Sequence, residues 1–100
     1  MTDGRARFEA VVRGVVQGVG FRYFVMRRAR RLDVTGWVAN EADGSVRCVA
    51  EGSRAALDEL LEVIRRGPPG SRVDHVAVTE TTATGAEDGF EVRASGHRGD

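Results

Sequence analysis

Between Arg7 and Leu32 the spacing of apolar residues changes period, and the change is made across Gly14 to Gly20, a stretch holding three glycines. Before it, Phe8, Ala10 and Val12 alternate with Arg7, Glu9 and Arg13, the pattern of a half-buried strand. After it, Phe21, Phe24, Val25, Ala29 and Leu32 recur at the spacing of one helical stripe. A strand with one apolar face thus hands over directly to a helix with one apolar stripe. Neither can bury its apolar side alone, so the chain must build a layered domain.

The same logic runs onward. Val34 to Asn40 and Ser45 to Glu51 are β-rich runs separated by Glu41-Ala42-Asp43-Gly44, whose last two residues are a hairpin signal. Ser53 is placed as an N-cap, and Leu57, Leu60, Leu61 and Ile64 form a second helical stripe. That helix ends at Gly67, with Pro68-Pro69-Gly70 blocking its continuation. Val73 to Thr79 predicts a strand, Thr81 to Asp88 a polar loop, and Gly89 to Ala94 a short final strand. Ser95 to Asp100 carries no packing signal and is expected to fray, leaving an ordered core of about residues 6–94. The order β-α-β-β-α-β plus a short strand predicts an α+β fold: a ferredoxin-like split β-α-β sandwich, its antiparallel sheet carrying two helices on one face.

With 100 residues, the chain predicts a single domain that buries roughly two-thirds of its unfolded surface without disulfides or metal. Fifteen basic residues balance fifteen acidic ones, so no global field draws it to nucleic acid or membrane. The basic residues are all Arg, a bias of base composition that also suits a phosphate site. No apolar run reaches membrane-spanning length and no signal segment opens the chain. A single Cys fits a reducing compartment, and a cytoplasmic monomer is expected. Cys48 alternates with Val46 and Ala50, as a buried apolar residue would. His75 and His97 have no Cys or His companions at ligand spacing, so no metal is expected; His75 reads as an exposed strand residue.

The fold class hosts enzymes, RNA binders and regulatory modules alike, so function must be read from a site. The informative junction is the first strand-to-helix loop. Glycines there let successive backbone N–H groups point inward at an anion, at the positive end of a helix dipole. Arg22, in the first helical turn, can add a bidentate, permanently charged contact. A flexible turn with a solvated arginine explains the same residues, and physics alone leaves both readings open. Asn40 likewise reads as a turn-stabilising residue ahead of the hairpin. Nucleotide chemistry is disfavoured: the loop lacks Gly-Lys-Ser/Thr, and Tyr23 stands where a dinucleotide fingerprint needs its third glycine. Gly20 to Val25 has aromatics at helical spacing, unlike an RNA-recognition strand. Arg27, Arg28, Arg30 and Arg31 read as a solvated helix face, with recruitment of an acidic partner or nucleic acid the minority reading. Trp37 reads as packing, and Glu51 and Asp74 show no paired partner in the sequence.

Resemblance sharpens this. Val12 to Arg22 is similar to the first signature of the acylphosphatase family, G-x-V-Q-G-V-x-F-R at its core. Gly36-Trp37-Val38-Ala39-Asn40-Glu41-Ala42-Asp43-Gly44-Ser45-Val46, followed by Gly52, resembles the second, and both match at every fixed position. The similarity covers roughly Arg7 to Arg93. It implies a metal-free, cofactor-free enzyme that hydrolyses the carboxyl-phosphate bond of acyl phosphates, with a small-molecule acyl phosphate as its only partner. Arg22 falls at the position of the phosphate-binding arginine and Asn40 at that of the asparagine orienting the attacking water. The backbone N–H groups of Val15, Val16, Gln17, Gly18, Val19 and Gly20 correspond to the phosphate cradle, with the side chains of Gln17 and Phe21 structural. The chain departs from many relatives after Arg93, where Ala94 replaces a terminal Tyr. A related domain also opens larger proteins that process carbamoyl phosphate; without further domains or zinc-finger cysteines, a stand-alone enzyme is expected. The competing reading is a non-catalytic ferredoxin-like module that binds an anionic ligand or RNA.

Overall fold

The structure is a computed structural model that describes residues 4–94. Its elements are β1 (Arg5–Val15), α1 (Phe21–Arg31), β2 (Thr35–Asn40), β3 (Val46–Ser53), α2 (Arg54–Arg66), β4 (Arg72–Thr82) and β5 (Phe90–Arg93). They form one five-stranded sheet in the order β4-β1-β3-β2-β5. Both helices pack on one face of it, and among the described residues no helix lies on the other. The expected ferredoxin-like arrangement is present. Two details differ from expectation. β4 runs three residues past Thr79, to Thr82. The sheet is mixed: β1, β2, β3 and β4 pair antiparallel, whereas β5 lies parallel to β2. Alternation in Gly89 to Ala94 identifies a strand but carries no information on its direction, which depends on where the preceding segment crosses the sheet. The expected fraying of Ser95 to Asp100 lies outside the described residues.

The core is the one the periodicity predicts. Phe8, Ala10 and Val12 of β1 face Val25 and Ala29 of α1 and Leu57, Leu60 and Ile64 of α2 within one buried cluster, with Phe24, Leu32 and Leu61 packed at its edge. Local chemistry ends the elements where expected. Ser53 Oγ accepts a hydrogen bond from Ala56 N at 3.1 Å and caps α2. Gly67 closes that helix with its N–H on Val63 O at 2.9 Å. Between β2 and β3, Asp43 Oδ1 accepts from both Ser45 N and Ser45 Oγ, at 3.0 and 2.6 Å. Those two hydrogen bonds, together with the weaker pull of the Arg13 ion pair, hold the Asp43 carboxyl down at about 2. Cys48 is buried as expected, and burial pushes its thiol up to about 12. His75 is exposed.

Candidate active site

β1 and β2 both pair antiparallel with β3, and β5 runs parallel to β2, so all three strands point the same way. Their C-terminal ends, with the start of α1, therefore meet at one end of the sheet. That end collects the Val16–Gly20 loop, Arg22, Asn40 and Arg93.

The loop begins two residues later than expected, because Gly14 and Val15 still pair with β4. Val15 is the last residue of β1, opposite Arg72. Val16 is buried and anchors the start of the loop. Gly18 and Gly20 adopt φ of +76° and +77°, the left-handed region in which a side chain is strained. None of the backbone N–H groups from Val16 to Gly20 donates a hydrogen bond to another described residue. The helix they lead into is equally bare. α1 has no side-chain cap and no acidic residue in its first turn, whereas α2 is capped by Ser53. Among the described residues, then, one helix N-terminus is capped and the other has neither a side-chain cap nor an acidic residue in its first turn to meet its donors and positive dipole end.

Two side chains hold this loop in place. Phe21 is buried beneath α1. Gln17 donates both hydrogens of its Nε2, to Glu41 O at 2.8 Å and to Ser45 O at 2.9 Å. Those carbonyls belong to the turn directly after Asn40, so Gln17 ties the loop to the strand end that carries Asn40. Asn40 lies on the helix side of β2, sharing its parity with buried Val38. Its carboxamide Oδ1 is buried and has no hydrogen-bond partner among the described residues. Glu41 Oε2 and Arg47 Nε are likewise buried without a partner among the described residues; leaving such an atom unpaired costs about 1–3 kcal/mol, and of the three only Asn40 is a residue the family resemblance singles out.

Arg22 is half-buried and donates from Nη1 to Arg93 O at 2.8 Å. No carboxylate pairs with it among the described residues, so one corner is held and its charge is not neutralised. A carbonyl anchor fixes direction without supplying a counter-ion. Loop N–H groups without a partner among the described residues, an uncapped helix start and a guanidinium without a counter-ion have the chemistry that suits a small, multiply charged oxyanion.

The model of the family described as Acylphosphatase matches residues 8–92. This chain belongs to the acylphosphatase family. It is an acylphosphatase by relationship as well as by fold, and hydrolysis of acyl phosphates goes with that membership. An acylphosphatase of Salinibacter ruber is 54% identical over 92 residues, covering 92% of this chain and 97% of the relative. The crystal structure of acylphosphatase from Bacillus subtilis superposes with a TM-score of 0.84 at 39% identity, covering 87% of this chain and 97% of that one. An acylphosphatase from Coxiella burnetii superposes with a TM-score of 0.81 at 36% identity, covering 90% and 94% respectively.

Four features of this acylphosphatase were not legible in its sequence. Arg30, read as part of a solvated face, donates Nε and Nη2 to Phe90 O at 3.2 and 2.9 Å. Glu51 is fully buried rather than unpartnered, and accepts from Arg7 Nη1 at 2.8 Å. Asp74 pairs with Arg72 at 2.9 Å. Trp37 packs as expected, but beneath the Arg93 guanidinium, 4.5 Å from the ring centre. Among the described residues no helix is long and apolar enough to cross a membrane, and no His, Cys, Asp and Glu cluster could hold a metal ion.

Proposed function

We propose that the enzyme acts by in-line attack of a water held by Asn40 on a phosphate held by Arg22 and by the backbone N–H groups of Val16 to Gly20, Val15 lying within β1. The single observation that carries this reading is the uncapped start of α1, where free loop N–H groups stand beside an arginine with no counter-ion. Five neighbouring peptide donors are a poor match to water alone and a good match to three phosphate oxygens.

The chemistry needs little more. An acyl phosphate is a mixed anhydride whose leaving group departs as a stable carboxylate, so no general acid is required. Phosphoryl transfer calls for alignment and for neutralisation of charge on the equatorial oxygens. Arg22 and the loop supply the second. Asn40 supplies the first, its orphaned Oδ1 accepting a hydrogen bond from the attacking water. The water oxygen forms the new bond to phosphorus. The bond from phosphorus to the carboxyl oxygen breaks with its electron pair, and the water's protons remain with the orthophosphate. No step uses a metal or an organic cofactor, and a small-molecule acyl phosphate is the sole partner needed by a monomer in the cytoplasm.

The test is release of phosphate from benzoyl phosphate in the presence of EDTA. Chelator-insensitive hydrolysis is expected. Arg22→Gln is expected to lower kcat/KM by roughly 100-fold or more, since it removes binding and charge stabilisation together. Absence of turnover combined with salt-sensitive retention of RNA would instead identify an anion-binding module.

A further inference from the structure

β5 is four residues long and forms an edge of the sheet, so its own pairing gives it little hold. It is reached from β4 through the segment 83–89. β4 and β5 stand at opposite edges, with three strands between them. At about 4.8 Å per strand the crossing is roughly 19 Å, and the segment can reach only about 26–29 Å fully extended. It therefore has little slack and passes directly over the helix-free face. Midway it is held by Glu51, a β3 residue on that face, which is fully buried. The Glu51 carboxylate accepts from Thr84 Oγ1 at 2.6 Å, Thr84 N at 3.0 Å and Gly85 N at 2.9 Å, besides Arg7.

β5 is then held at both ends by arginines of α1. Arg30 bonds the carbonyl of its first residue, Phe90, through two donors. Arg22 bonds the carbonyl of its last, Arg93. The second contact runs in the opposite sense functionally: the strand is what holds the arginine. Among the described residues, Arg93 O is the one group bonded to the Arg22 guanidinium. A long side chain with a single anchor keeps its orientation only while that anchor stays in place.

We propose that Arg30 and Glu51 are positioning residues for Arg22, fixing the edge strand whose Arg93 carbonyl orients the guanidinium. This rests on the phosphate-binding role proposed for Arg22. Neither residue touches substrate; each acts through β5.

The full chain is compared as Arg30→Gln, Arg30→Lys, Arg28→Gln and Glu51→Gln, measuring benzoyl phosphate kinetics, competitive inhibition by inorganic phosphate, and melting temperature. Arg30→Gln is expected to raise the phosphate inhibition constant about fivefold and to lower kcat/KM at least as much, a share of what one hydrogen bond to a charged group is worth. Arg30→Lys, which retains a donor for Phe90 O, should recover part of the loss. Arg28→Gln, two residues earlier in α1 and bonded to nothing in β5 among the described residues, should match the parent. Glu51→Gln should act in the same direction as Arg30→Gln; if it does not fold, the Arg30 series decides alone. In an Arg22→Gln background, Arg30→Gln should add nothing to the phosphate inhibition constant, because its effect passes through Arg22. Parental phosphate affinity in Arg30→Gln, or an equal loss in the Arg22→Gln background, overturns the proposal while leaving the role of Arg22 intact. Parental affinity in Arg22→Gln itself overturns both.

Discussion

Arg22 and Arg30 lie eight residues apart on one helix and both meet a backbone carbonyl of β5, yet their charges serve different ends. Arg30 gives two donors to Phe90 O; Arg22 gives one to Arg93 O and keeps the rest of its fork. Asn40 completes the set with an acceptor that no donor among the described residues meets. If that acceptor aligns a water, Asn40→Ala should cut kcat by on the order of 100-fold while inhibition by inorganic phosphate stays near the parental value. Steady-state kinetics with phosphate as competitor reads the two separately. Glu51 sets a pH dependence of a different kind. Burial raises its pKa, but hydrogen bonds from the Thr84 hydroxyl, the Gly85 and Thr84 amides and Arg7 outweigh burial and hold it at about 2, below its ordinary 4.5. A carboxyl whose folded pKa is depressed stabilises the fold fully above the unfolded value and loses that contribution as pH falls through the folded one. Stability should therefore decline between pH 4.5 and about 2. Denaturant unfolding at several pH values should show that part of the slope missing in Glu51→Gln.

At the level of elements, the two helices differ at their starts for a reason the residues state. Ser53 answers the N–H groups of α2, and Gly20 has no side chain with which to answer those of α1. The strands are specified as closely. Gly36 of β2 lies so near β3 that a Cβ added there would stand 1.8 Å from Val49 O, at a φ of +142°. Backbone cannot yield to that contact as a side chain would. Gly36→Ala is therefore expected to destabilise by on the order of 3 kcal/mol, read as a lowered urea midpoint. The second signature motif carries this glycine and Asn40 together, so part of what resembles a catalytic motif is a packing requirement.

At the scale of the whole molecule, the site is assembled from three segments distant in sequence: the loop with α1, the end of β2, and β5. Gln17 ties the first to the turn after the second, and Arg22 ties the first to the third. A ligand that bridges such a site binds the folded chain and not the unfolded one. Inorganic phosphate at about ten times its Kd should then stabilise the protein by about 1.4 kcal/mol, a rise of several degrees in Tm. Arg22→Gln should abolish most of that rise, which calorimetry or a thermal melt would show.

The reach of the sequence is set by the range of the forces involved. Periodicity over a few residues identified both helices, the strands and the glycine loop, because burying one face is a local requirement repeated at a fixed interval. Motif order pointed to Arg22 and Asn40 as a pair. What periodicity could not supply was every contact whose partner lies far along the chain. Arg22 meets a carbonyl 71 residues away, Arg30 one 60 away, and Glu51 the amides of Thr84 and Gly85, 33 and 34 away. The parallel direction of β5 belongs with these, since it follows from the segment 83–89 leaving β4 and entering β5 at the same end of the sheet. Every residue has a backbone carbonyl and every residue but proline an amide N–H, so a side chain that binds them leaves no complementary letter elsewhere in the sequence. Only the folded sheet, by bringing its far edge back to α1, decides that an arginine on that helix holds a strand and that the strand in turn holds Arg22.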